Sequence, residues 1–282
     1  MHLRITISVV LLLLSSQCWS MGNLVIIGGG SRPPEMIRLM AGLAGGEDAN
    51  LIIIPTASSE PEDVATYQAA QFTEYGCGAV SYILPTVETA DSESLAAIVR
   101  NASGVFFSGG DQRRLTQVLL GSAVLEEIRA LYERGGLVAG TSAGAAVMSD
   151  TMITGDERKY PESDDSFSTI EADNIITTPG FGFISGVVVD QHFVARKRYN
   201  RMISLMLEHP ELRGIGIDES TAIWVKPDST LEVVGESCVV LFDPTSAQIE
   251  VRDDQMLGVD NLMLDVLLPG ERVDLRTWEV LR

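Results

Sequence analysis

Histidine and cysteine are scarce: the 282-residue chain holds three of each. His2 and Cys18 fall in the first twenty residues, which leaves His192, His209, Cys77 and Cys238 for the rest. Two cysteines cannot build a disulfide framework; either they form one bridge or they are two small, partly buried apolar residues. A zinc site built mainly of His and Cys is hard to assemble from such a set, so no metal and no cofactor is expected. Basic residues are also few, 20 Lys+Arg against 39 Asp+Glu, a net charge of −19. Phosphate backbones repel such a chain, which excludes nucleic acid as a partner. Long apolar runs are missing too. The longest, Ile5 to Leu14, is about half of what a helix needs to cross a hydrocarbon layer of about 30 Å, so no membrane span is expected.

What is present is a globular composition, 45% hydrophobic and 21% charged. A chain of this length buries roughly 70–75% of its unfolded surface. Residues 1–20 stand apart. His2 and Arg4 make a weakly basic start, an apolar run follows, and Ser15 to Ser20 is small and polar, the order of a secretory signal cleaved before Met21. Export to the periplasm or medium is therefore expected, with a cytoplasmic protein starting at Met21 as the alternative. Residues 21–282 show no internal repeat and no long linker, and read as one domain.

The N-terminal two-thirds alternates short apolar runs with helical spacing. Leu24–Ile27, Leu51–Ile54, Ser81–Leu84, Val105–Phe107 and Leu137–Ala139 read as buried strands. Glu35–Leu43, Ala65–Tyr75, Ser92–Arg100 and Leu115–Tyr132 read as helices. This is an α/β pattern with a mainly parallel sheet and helices on both faces, and ligands bind beyond the carboxyl ends of such strands. The charged stretch 156–165 reads as an exposed loop, or as a structured insertion beside the site. Val187–Val189 resumes as a strand, followed by a basic helical run to Leu207. Beyond Gly214, short strands at Ile215–Ile217, Ala222–Val225, Leu231–Val234, Ser237–Phe242 and Gln248–Val251 suggest C-terminal hairpins that extend one edge of the sheet.

The loops after the strands are rich in glycine. Gly28-Gly29-Gly30 fails as a dinucleotide fingerprint because Pro33 stands where a third glycine is needed. Gly140-Thr141-Ser142-Ala143-Gly144 fits the Gly-x-Ser-x-Gly elbow, in which a strand turns sharply into a helix and exposes a serine hydroxyl. The N–H of Ala143 would then point at a developing oxyanion. A tight turn without chemistry is the bland alternative. A serine nucleophile needs a base. His209 ends an amphipathic helix, where a cation simply complements the dipole. His192 follows strand Val187–Val189 at the carboxyl end and is the better candidate. Asp218 and Glu219, just past another strand, offer the third group, and only one of them can face the site. The chain order Ser, His, acid differs from the Ser, acid, His order of α/β-hydrolases.

Phe106 to Gln112, the elbow, Asp190-Gln191-His192-Phe193 with Arg196, Arg198 and Arg201, and Gly216 to Ala222 together resemble the cyanophycinases of peptidase family S51, which also includes aspartyl dipeptidases of the dipeptidase E type. The resemblance runs from Gly22 to about Val240. It implies a fold like the class I glutamine amidotransferase domain, with Ser142 as nucleophile, His192 as base and Glu219 as orienting acid. It also implies oxyanion N–H groups from Gly110 and Ala143, and a substrate pocket lined by Gln112, Asp190, Gln191, Arg196, Arg198 and Arg201. The implied substrate is cyanophycin, a poly-aspartate whose β-carboxylates carry arginine, degraded to β-aspartyl-arginine; a homodimer is a further implication. Physically, three guanidiniums in an acidic protein could hold substrate carboxylates bidentately and Asp190 could meet a substrate guanidinium, while the negative field would attract an arginine-rich polymer. The bland alternative is that the arginines pair with the protein's own acids. A dipeptidase acting on short aspartyl peptides, or a binding protein without catalysis, are the competing readings.

Overall fold

The computed structural model describes residues 22–162 and 167–281. The expected leader, 1–20, lies outside the described residues, as do positions 163–165 of the charged stretch.

Leu24 to Ile27 are fully buried in a row, which an alternating half-exposed strand could not be; both faces of this strand must be covered. Leu24 and Ile26 pack on one face with Leu115, Leu125, Ile128 and Val138, while Val25 and Ile27 pack on the other with Met36, Ile37, Met40 and Phe72. The strands of this layer are Asn23–Ile27 (β1), Asn50–Ile54 (β2), Ala79–Tyr82 (β3), Gly104–Phe107 (β4) and Leu137–Thr141 (β5). They pair in parallel in the order β1-β5-β4-β2-β3. Helices Pro34–Leu43 (α1) and Pro61–Glu74 (α2) cover the Val25 face. Glu93–Arg100 (α3), Gln112–Leu119 (α4), Ala123–Glu133 (α5) and the short Ala143–Ala146 (α6) cover the other.

Several boundaries differ from the sequence expectation, each for a local reason. The single helix expected over 115–132 is two, because Gly121 takes φ 75° and Ser122 caps the next helix by accepting from the N–H of Leu125. The strand expected at Ser81–Leu84 sits two residues earlier, at the sheet edge, with Tyr82 exposed. The charged segment is partly strand. Thr151–Glu157 (β6) pairs antiparallel with Ile175–Pro179 (β7), and buried Glu157 accepts from the Asn174 amide at 2.7 Å. Positions 156 and 157 thus belong to a strand whose alternation is broken by a register shift between Ile153 and Glu157.

The C-terminal strands divide between two sheets. After Val187–Gln191 (β8), helix Tyr199–Glu208 (α7) and Arg213–Ile217 (β9) come Thr221–Val225 (β10) and Thr230–Gly235 (β11). β10 pairs antiparallel with β1, and β11, Arg272–Asp274 and Glu279–Leu281 continue that edge. β8, β9, Val239–Asp243 (β12) and Met263–Leu267 instead form a second, four-stranded sheet. Its own core of Val188, Phe193, Met202, Leu205, Met206, Val240 and Phe242 lies under α7. Cys77 packs in the α1–α2 core and Cys238 against this third one; both are free, so they form no bridge. Among the described residues, no helix is long and apolar enough to cross a membrane, and no group of three or more His, Cys, Asp or Glu is placed to hold a metal.

Candidate active site

Register brings three loops to one point. Ile27 sits opposite Thr141, and Phe107 opposite Gly140, so the residues that follow β1, β4 and β5 leave the sheet side by side. Ser142 is the first residue past β5, at φ 54° and ψ −111°, a conformation that only tight surroundings hold in a residue with a side chain. The flanking glycines are required by contact. A Cβ on Gly140 would lie 2.3 Å from the carbonyl oxygen of Gly144, and one on Gly144 would lie 2.4 Å from that of Phe107. The elbow is pinned to β1 by the Ser142 N–H, which donates to Ile27 at 3.0 Å.

His192 follows β8 at φ 50°, its N–H donating to the Gly28 carbonyl at 2.7 Å. Its Nε2 stands 2.8 Å from the Ser142 Oγ and its Nδ1 2.6 Å from the Glu219 Oε1. Ser142, His192 and Glu219, contributed by three loops, thus form one hydrogen-bonded relay. Of the two neighbouring carboxylates, Glu219 reaches the imidazole. Asp218 accepts from the N–H groups of Val194 and Ala195 and from the Ser237 hydroxyl, and so fixes the turn that carries His192. Burial pushes the His192 imidazole below the ordinary histidine range; the Glu219 hydrogen bond opposes this, and the charges of Arg196 and Arg198 reinforce it. A neutral imidazole is the form that can take a proton from serine.

Sequence reasoning noticed Gly28-Gly29-Gly30 but asked only whether they hold a nucleotide. Their place is under the relay. Gly29 has φ 112°, and a Cβ there would lie 2.2 Å from the His192 Cε1; one on Gly30 would lie 2.9 Å from the Glu219 Cβ. The Gly28 N–H also donates to the Thr221 carbonyl, and the Gly29 carbonyl accepts from the Ser220 N–H, both just after Glu219. The available signal was their position, three glycines at the carboxyl end of the strand next to β5.

On the opposite side of Ser142 lies the loop after β4. A Cβ on Gly109 would sit 3.3 Å from the Ser142 Cβ, and Gly110, at φ 138°, presses against the Ala57 carbonyl. The N–H groups of Gly110 and Ala143 have no hydrogen-bond partner among the described residues. Ala143 directly follows Ser142, and Gly110 follows the glycine that packs against it.

The residues expected to line a substrate pocket are divided. Arg196 is exposed, with no carboxylate partner among the described residues. Arg198 is largely buried; its Nη1 donates to the carbonyl and side-chain oxygens of Gln191 at 2.7 and 2.8 Å and lies 3.4 Å from the Asp190 Oδ1, so it too is paired with one of the protein's own acids. Burial, and then the charge of Arg201, push its guanidinium down to about 10. Asp190 and Arg201 do not face a substrate. Asp190 is 1% and Arg201 3% exposed, and the two pair bidentately beneath the site, so the bland reading applies to them. Gln112 is also turned inward, both amide hydrogens going to the carbonyls of Ile153 and Thr154 on β6. The other described histidine, His209, is half-buried at the end of α7, and its ring stands 3.2 Å from a Glu211 carboxylate oxygen. Arg196 and Arg198 sit on turns; only Arg201 is helical, because Lys197 at φ 54° interrupts the expected run.

The sequence profile of Peptidase family S51 matches residues 24–233, a span that contains the whole relay. The chain belongs to peptidase family S51. Cyanophycinase of Trichormus variabilis (strain ATCC 29413 / PCC 7937) is 37% identical over 266 residues, covering 91% of this chain and 87% of that protein. Cyanophycinase of Synechococcus elongatus is 33% identical over 273 residues, 92% of this chain and 81% of its own length. Among solved structures, a peptidase from an acI-B1 Actinobacterium superposes with a TM-score of 0.68 at 25% identity, over 92% of this chain and 98% of the other. A putative peptidase E protein from Listeria monocytogenes EGD-e, 17% identical with a TM-score of 0.51 over 77% of this chain and 100% of its own, shares the fold. An S51 enzyme is a serine peptidase, a hydrolase, and the α/β fold with antiparallel strands added at one edge is the scaffold on which this one is built.

Proposed function

We propose that this S51 peptidase is an exopeptidase that degrades cyanophycin to β-aspartyl-arginine through an acyl-enzyme. The observation that carries the reading is the continuous relay of 2.8 and 2.6 Å from Ser142 through His192 to Glu219. His192, with Nδ1–H donated to Glu219, takes the Ser142 proton at Nε2 while Oγ attacks the carbonyl that joins one aspartate unit to the next. The oxyanion is held by the N–H groups of Gly110 and Ala143. His192 then protonates the departing amine and breaks the C–N bond. Water, deprotonated by the same imidazole, hydrolyses the ester and returns the proton to Ser142. Arg196 and Arg198 bind a substrate carboxylate at the mouth of the site.

An intact relay argues against a binding protein without catalysis. Relatives named cyanophycinase along most of the chain favour the polymer over short aspartyl peptides. The test is mass spectrometry of soluble products from insoluble cyanophycin. Wild type should release β-aspartyl-arginine and Ser142→Ala none; cleavage of short aspartyl peptides alone would replace the substrate, and activity retained in the variant would remove the nucleophile.

The leader-like residues 1–20 support export. Amino-terminal sequencing of protein recovered outside the cytoplasm should begin at Met21. A cytoplasmic protein that keeps residues 1–20 would contradict this.

A further inference from the structure

Arg32 lies on the loop after β1, two residues beyond the glycine that abuts Glu219, and no step of the mechanism uses it. It is half-buried, and no carboxylate lies within salt-bridge reach among the described residues. Every other described Lys or Arg without such a partner is exposed. An acidic protein leaves one guanidinium half-desolvated and unneutralised, on the glycine loop that abuts Glu219. Burial lowers its affinity for the proton, as expected for a cation without a counter-ion.

The side chain is nonetheless held in place. It stacks over the Phe106 ring, 5.5 Å from its centroid. Its Nη2 donates to the Gln71 side-chain oxygen, and the Gln71 amide donates to the Tyr67 hydroxyl at 3.0 Å. Both ends of the carboxamide are thereby fixed, and Nε and Nη1 of Arg32 have no protein acceptor among the described residues. One turn earlier on α2, Gln68 accepts from the hydroxyl of Ser108, the residue ahead of Gly109 and Gly110. The same helix thus fixes Arg32 and the loop that faces Ser142. Phe106 belongs to the α1–α2 face of the sheet, whereas β8, which leads to His192 and Arg196, packs on the opposite face. Arg32 therefore packs on one face of the sheet, and the segment that carries Arg196 follows a strand packed on the other.

A cyanophycin unit carries one free carboxylate, that of its arginine, and one guanidinium. A scissile bond has a unit on each side, so two carboxylates must be accommodated. We propose that Arg32 is a second carboxylate-binding subsite, taking the unit across the scissile bond from the one held by Arg196 and Arg198. The exposed ring of Tyr67 offers the guanidinium of that unit a stacking face. This proposal rests on the reading of cyanophycin as substrate.

The test uses synthetic three-unit segments with one arginine carboxylate converted to carboxamide, at the first, second or third unit in turn. Binding to Ser142→Ala is measured by titration calorimetry, with Arg32 intact or changed to Gln or Lys. Masking the carboxylate held by Arg32 should weaken binding about tenfold with Arg32 intact and have no effect in Arg32→Gln. Arg32→Lys, which keeps the charge without the planar fork, should be intermediate, and it serves alone if the Gln variant fails to fold. Arg196→Ala should abolish sensitivity at a different unit. Uniform weakening at all three units, or none, would overturn the subsite while leaving the substrate reading standing. No dipeptide released from the unmodified segment by wild type would overturn that reading and the subsite with it.

Discussion

The charge state of a single imidazole sets the working range of the site. Burial makes the cation of His192 costly and the two neighbouring arginines repel it, so the base stays neutral to a pH below the ordinary histidine value of about 6.5. A lowered value means that kcat/KM holds through mild acid and falls as pH drops through the shifted pKa. Removing Arg196 removes a repulsion of the cation, so the imidazole is protonated at higher pH. In Arg196→Ala the acid limb of the pH profile should therefore move upward, and less so at high salt, because Arg196 is exposed and its field is screened. An unchanged limb would show that Arg196 does not act on the imidazole. Asp190 and Arg201 illustrate what residue type alone hides. A buried ion pair and a substrate clamp are written with the same letters, and only the 1% and 3% exposures distinguish them.

At the scale of elements, the site depends on the ends of strands, and the ends were the least legible part of the sequence. Apolar runs located β1, β2, β4 and β5 to within two residues, because strands buried on both faces leave no alternation to misread. The elbow and His192 were legible because each follows such a run. The break between α4 and α5 was not, although Gly121 and Ser122 mark it, since the apolar spacing continues across them. The hairpin of β6 and β7 was hidden by its charges, of which Glu157 is buried against Asn174. Likewise the glycine loop after β1 was visible as glycine but not as a saddle for the relay. That role is open to a direct test with Gly29→Ala. The added methyl would meet the His192 ring at 2.2 Å on a backbone at φ 112°, so the ring must move away from Ser142 or Glu219. Misplacement on the order of 1 Å costs about 10²-fold in rate. The left-handed penalty of about 1–2 kcal/mol lowers stability as well. The variant should fold with a modest drop in Tm and lose at least that factor in kcat. Near-normal kcat would mean that the loop does not hold the relay.

On the scale of the whole molecule, the net charge of −19 carries less of the recognition than it first suggests. Each cyanophycin unit bears one positive and one negative group, so a long-range field attracts and repels in equal measure, and selection must come from short-range contacts at the mouth of the site. In the subsite proposal these come from two directions, with α1 and α2 on one face of the parallel sheet and the β8–α7 sheet on the other. Their joint product is one serine, half-buried at the seam and hydrogen-bonded to a buried imidazole. The account stands on that serine being the nucleophile. Labelling with a fluorophosphonate probe, followed by peptide mapping, tests it most directly. The result predicted is one modification, at Ser142, absent from Ser142→Ala and sharply slowed in His192→Ala, with both variants folded. Labelling at another serine, or none at all in the folded wild type, would contradict it.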